Sequence, residues 1–231
     1  MKITSTNPSK NYEVLGEIEA STEKEITNAL HKAHTAQPEW AALSQEERNE
    51  AIKSFMTVCK ENAEEIAVAM AREMGKPIKQ ARNQITESFG FFNDYMTLVD
   101  EALKPEVVFE NDTERHYLTR EPLGVITCIT PWNFPFLNIP WQTGQALLAG
   151  NAILYKPSEE IIVFAKLIEK LIKQSDIPNG IFTVIFGDGA IGAKLVEQPV
   201  DEILFTGSTR TGQRITELAS KNSTKVLTEM G

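Results

Sequence analysis

Through the first hundred residues, apolar side chains return at intervals of three and four, the period of an amphipathic helix. Two such stretches open on capping-box patterns, Thr22-x-x-Glu25 and Ser44-x-x-Glu47. In that pattern a hydroxyl and a carboxylate each satisfy a backbone N–H that the helix start leaves free. After the first, Ile26, Ala29, Leu30 and Ala33 share one face; after the second, Ile52, Phe55, Met56 and Cys59 do. A third helix is expected to end near Gly75, and a fourth to run through ITESFGFFNDYMTLVDEAL. The period then changes. HYLTREPLGVITCIT is rich in β-branched residues and interrupted at Pro122, so it reads as extended chain.

From Asn151 onward, short apolar runs alternate with helical ones. AILYK, IFTVIF, EILFTG and KVLTEMG read as strands; EEIIVFAKLIEKLIKQ, AIGAKLVEQ and RTGQRITELAS read as helices. In the first of these helices Ile161, Phe164, Ala165, Ile168 and Ile172 form the apolar side. Apolar strands separated by helices predict a parallel sheet covered on both faces. Right-handed crossovers then make it a doubly wound, Rossmann-like α/β fold, here with an N-terminal helical region and a small extended arm.

The chain of 231 residues is long enough for a real core and for one or two domains. A formal net charge of −9 argues against nucleic acid or an anionic membrane as partner, since both require a basic surface. The N-terminal stretch lacks an apolar signal region and no later run is long enough to cross a bilayer, so a cytoplasmic protein is expected. Cys59 and Cys128 form neither a disulfide framework nor a CxxC pattern, and both fall among apolar neighbours that suit core packing. His31 and His34 share a helix without companion ligands, so no metal site is expected.

In sheets of this kind ligands gather at the carboxyl ends of the strands. Lys156, Ser158 and Glu159 leave one such end, Thr206, Gly207 and Ser208 a second, and Glu229 a third. The GSTRTG turn opens a helix whose free N–H groups suit a phosphate. GDGAIG, residues 187–192, also matches the G-x-G-x-x-G dinucleotide pattern. That pattern calls for an acidic residue closing the next strand, and EILFTG closes without one. A further feature is ITPWNFPFLNIP, in which Asn133 stands between two aromatics and two prolines that restrict its backbone.

Taken in order, TPWNFP, GNAILYKPSE, FTGSTRTG and a terminal TEMG resemble the NAD(P)-dependent aldehyde dehydrogenase superfamily, as do EMGKP and REPLGV further upstream. The resemblance spans nearly the whole chain and implies oxidation of an aldehyde to its acid through a cysteine thiohemiacetal and thioester. It makes Asn133 the oxyanion donor and Glu229 the base that activates water. It places the adenosine ribose on Lys156 and Glu159, with Ser158 beside them. Ser208, with Gly207, takes the pyrophosphate, while Ile129, Trp132 and Thr206 line the cofactor cleft. A carboxylate at Glu159 favours NAD, with NADP possible. Thr228 and Met230 depart from the usual Leu-Glu-Leu-Gly-Gly around the base.

The resemblance further implies a nucleophilic cysteine in a second, catalytic half beyond Glu229, to which neither Cys59 nor Cys128 corresponds. Residues 1–231 are therefore expected to be the NAD(P)-binding domain, inactive alone, with apolar surface exposed where the other half packs. Residues 112–123 are expected to belong to an oligomerisation arm, and the complete protein to be a homodimer or homotetramer. EMGKPIKQAR points toward members that act on succinate semialdehyde. The alternative is a non-catalytic nucleotide-binding or subunit-interaction module.

Overall fold

In the computed structural model, which describes residues 1–231, both capping boxes close as the sequence predicts. Thr22 accepts the N–H of Glu25 at 3.2 Å while Glu25 accepts that of Thr22 at 2.7 Å. Ser44 and Glu47 repeat the exchange. They open α1 (Glu23–Ala42) and α2 (Gln45–Glu61), followed by α3 (Ala63–Met74) and α4 (Ile78–Ala102). The apolar faces expected of α1 and α2 are buried, including Cys59. α3 stops at Gly75, whose left-handed φ of 70° only glycine adopts without cost.

The later half forms a five-stranded, fully parallel sheet of β5 (Val125–Ile129), β6 (Ala152–Lys156), β7 (Phe182–Val184), β8 (Glu202–Gly207) and β9 (Lys225–Met230). Its spatial order is β7-β6-β5-β8-β9, so the chain winds outward from β5, returns, and winds the other way from β8. Every side chain of β5 and β6 is buried, as strands covered on both faces require. The crossovers carry α5 (Gln145–Leu148), α6 (Ile162–Ile172), α7 (Gly189–Val196) and α8 (Thr209–Ala219). α1 lies along the sheet, tied to α5 by the Trp40 indole, which donates to the Leu147 carbonyl at 2.9 Å. No helix is long and apolar enough to cross a membrane.

Two hairpins flank this body. β1 (Lys2–Asn7) and β2 (Glu13–Glu19) pair at the N-terminus, and β3 (Glu106–Glu110) pairs with β4 (Arg115–Leu118). All nine residues of the second hairpin are exposed, Val107, Val108 and Phe109 among them. Residues 112–123 include the returning strand β4, and β3 lies before them. The strand read in IFTVIF is shorter, since only Phe182–Val184 pairs with β6.

Candidate functional site

The order of strands reverses between β5 and β8, and loops leaving their carboxyl ends diverge there to open a crevice. A cavity of about 1200 Å³ opens there and extends along one face of the sheet to Ile126 and Glu202. Its lining includes Trp132 and Asn133 after β5, Thr206 and Gly207 at the end of β8 with Ser208 after it, and Glu229 on β9. Three separate strands therefore deliver the asparagine, the turn and the carboxylate to one space.

Asn133 is exposed in a loop whose far end is anchored by the buried Phe136 and by the Asn138 N–H, which donates to the Phe134 carbonyl at 3.1 Å. On the near side, Thr130 is buried and its hydroxyl meets that of Tyr155 at 3.0 Å. The chain then enters a π-helical turn, Ile139–Gly144, which runs directly into α5. That turn presents Gln142, whose amide donates to the Thr206 hydroxyl and whose own oxygen is buried without a partner. Sequence patterns gave no sign of this contact, because it joins residues 64 positions apart.

Ser208 caps α8 by accepting the Thr211 N–H at 3.3 Å. That bond takes the third amide of the helix and leaves those of Thr209 and Arg210 free, and the helix dipole adds positive character there. Arg210 lies in the same turn and is exposed. α8 approaches β9 closely because residue 212 is glycine; a Cβ there would run into the Met230 side chain. Glu229 is the register partner of Thr206, so the two side chains rise from the same side of the sheet into the cavity.

Lys156, Ser158, Glu159 and Ile129 do not line this cavity. Sequence reasoning expects Lys156, the turn and Glu229 to share one crevice; all three leave the carboxyl edge of the sheet, with β5 standing between Lys156 and the turn. β6 stands two places from β8, so Lys156 ends on the far side of β5. Its ammonium is buried and donates to the Pro157 carbonyl at 3.2 Å, with a Glu159 carboxylate oxygen 3.9 Å away. Burial holds its pKa below the ordinary lysine value, partly opposed by Glu159 and Asp188. Ser158 caps the short turn Glu159–Ile161, and Ile129 is buried at the end of β5.

The GDGAIG segment is less open to a phosphate than the α8 turn. Asp188 caps α7 and takes the N–H groups of Ala190 and Ile191 for itself, at 2.9 and 3.2 Å. A carboxylate already occupies the position an anionic ligand would need. Gly187 answers a packing demand, since any Cβ there would collide with Ile191.

The family model described as the aldehyde dehydrogenase family matches residues 1–231. Solved structures superpose over the whole chain. An NADP-dependent enzyme from E. coli does so at a TM-score of 0.93 and 30% identity. PnpE from Pseudomonas sp. WBC-3 gives 0.93 and 31%, and it has also been solved in complex with nicotinamide adenine dinucleotide. An NAD-dependent benzaldehyde dehydrogenase from Corynebacterium glutamicum gives 0.91 and 27%. The present chain covers 48%, 48% and 51% of those three, so it spans about half the length of the structures it matches.

Proposed function

The chain belongs to the aldehyde dehydrogenase family, and from that premise we propose that it is the NAD(P)-binding part of an enzyme oxidising aldehydes to acids. The observation that carries this reading is the convergence of Asn133, Ser208 and Glu229, from three strand ends, on one cavity at the strand-order reversal. The cavity suits a dinucleotide by its size, and Ser208 on its lining opens α8, whose Thr209 and Arg210 amides are free. Lys156 and Glu159 take the ribose at the other end of the cofactor. β6 and β8 are two strand spacings apart, about 10 Å, a short span for an extended dinucleotide.

Bound NAD(P)+ supplies the acceptor for hydride. Asn133 aims its side-chain N–H at the aldehyde oxygen as charge develops on it, and Glu229 takes a proton from the water that releases the acid. Trp132, Thr206 and Gly207 shape the cleft, with Ile129 packed behind it. NAD is the favoured cofactor because Glu159 would repel a 2′-phosphate, and NADP remains within the family's range, as the E. coli relative indicates. Succinate semialdehyde is the proposed substrate, the cytoplasm the location, and a homodimer or homotetramer built through the β3–β4 arm the assembly.

The reactive thiol comes from outside this segment. Burial pushes the Cys59 and Cys128 thiols well above their ordinary value, and neither reaches the cavity. That favours a second reading for the segment by itself, nucleotide binding without turnover. Calorimetry with NAD and NADP, beside an absorbance assay for aldehyde oxidation, tests both. Saturable binding of NAD, tighter than NADP, is the expected result. Absence of binding, or turnover indifferent to Asn133→Ala, contradicts it.

A further inference from the structure

Pro131, Trp132 and Asn133 make no backbone–backbone hydrogen bond. Prolines and the buried Phe136 restrict the flanks of this loop, but its own peptide groups gain no backbone partner, and an oxyanion donor works only when it is aimed before charge develops. One side chain from a distant helix junction supplies an anchor. The Lys76 ammonium donates to the Asn133 main-chain carbonyl at 3.1 Å and to the Gln84 side-chain oxygen at 3.2 Å. It also stands 5.0 Å from the centre of the Phe134 ring, within range of a cation–π contact.

Lys76 is itself held firmly. Gly75 before it ends α3 in the left-handed conformation, and Pro77 after it, with φ −57°, opens α4. No carboxylate lies within ion-pair distance of its ammonium among the ion pairs of the fold. A lysine that merely solubilises a surface would keep its charge in water, whereas this one is partly desolvated, which lowers its pKa.

We propose that Lys76 is a positioning residue: it tethers the Asn133 backbone and the Phe134 ring to the α3–α4 junction and so sets the aim of the Asn133 side chain. This rests on the role proposed for Asn133. The tether itself does not, and can be read without any reaction.

The experiment compares the protein with Lys76→Met and Lys76→Arg by amide hydrogen exchange and thermal melting. Methionine keeps the length of the side chain and removes its charge; arginine restores the cation and its donors. Loss of a charge-assisted hydrogen bond is expected to speed exchange at Asn138, Ile139 and Trp141 by about tenfold in Lys76→Met. The melting temperature stays near that of the parent, the strands of the sheet are unaffected, and Lys76→Arg restores most of the protection. Unchanged exchange in Lys76→Met, acceleration spread over the whole sheet, or no rescue by arginine overturns the proposal. In protein that turns over aldehyde, kcat falls by a similar factor while the KM for NAD holds; a change in KM alone would overturn the positioning role. Asn133→Ala runs alongside: if it leaves turnover intact, the reading of Asn133 fails, while the exchange data still decide on the tether.

Discussion

Glu73, buried on α3, accepts the main-chain N–H of Phe164 at 2.8 Å across 91 positions of sequence. The same carboxylate accepts the Val163 N–H at 2.8 Å and the Ser5 hydroxyl at 2.6 Å. α6 has no side-chain cap of its own, so a residue from another helix performs that role and ties β1 to the same point. The turn Glu159–Ile161, where the ribose is proposed to bind, directly precedes α6 and shares this anchorage.

Removing that acceptor is expected to destabilise the fold. Glu73→Ala leaves three buried donors unpaired and is expected to cost about 3 kcal/mol or more. Burial, though opposed by the three hydrogen bonds, lifts the Glu73 carboxyl above its ordinary value of 4.5. The folded chain therefore binds this proton more tightly than the unfolded one. The contribution to stability is complete below 4.5 and is lost as pH rises through the raised value. Glu73→Gln lacks that dependence. Thermal melts of the two proteins from about pH 4 to about pH 7 check the sign: the difference between them should change across this range. Parallel curves would contradict it.

Lys156 presents the opposite case. Its ammonium is buried against Pro157 with its nearest ion-pairing carboxylate 3.9 Å away, and its pKa is lowered mainly by desolvation. The unfolded chain binds that proton more tightly, so stability from this group grows as pH rises from the lowered value toward 10.5. Lys156→Met is expected to raise stability near neutral pH by about 1 kcal/mol. The same substitution should weaken NAD binding, because the donor proposed for the ribose is gone. Urea unfolding and calorimetry on one preparation test the pair of effects; a variant less stable than its parent would contradict the first.

Gly212 lets α8 lie close to β9. A methyl group there must displace the half-exposed Met230 side chain and presses on the buried Phe205 ring, so Gly212→Ala should shift α8 slightly and cost about 1 kcal/mol. Because Ser208 opens α8 and Glu229 lies on β9, the cleft should widen and NAD affinity fall with stability. Equal unfolding midpoints for parent and variant would count against this packing.

Much of this architecture is legible in the chain. The β-rich runs from Val125 onward are buried on both sides, and such runs announce themselves by apolar content alone. The N-terminal hairpin gives no such signal. Its inward positions include Ser5 and Asn7, polar residues whose side chains bond to Glu73 far along the chain and to nearby Glu13, respectively. The π-helical turn was likewise hidden, since Pro140 argues against a helix until it is seen to occupy the first turn, where a missing N–H costs nothing. β3 was missed because it is exposed on both faces and shows neither alternation nor burial.

The site divides in the same way. Asn133, Ser208 and Glu229 could be placed because each follows or ends an apolar strand, and strand ends share an edge. Strand order could not be read, so the sequence did not show that β5 stands between Lys156 and the α8 turn. Lys76 and Gln142 act through contacts 57 and 64 positions away, and no local pattern encodes such distances.

The functional reading of this protein depends on the α8 turn, rather than the GDGAIG turn, holding the phosphates of a nucleotide at the β5–β8 reversal. Calorimetric titration of NAD into the parent chain, Ser208→Asp and Gly189→Ala tests that choice most directly. Aspartate keeps the helix cap but sets a negative charge against the cofactor, and alanine at 189 enters open space. The expected result is one saturable site in the parent, affinity at least about tenfold weaker in Ser208→Asp, and no change in Gly189→Ala. Undiminished binding by Ser208→Asp, or loss of binding in Gly189→Ala, would contradict the account.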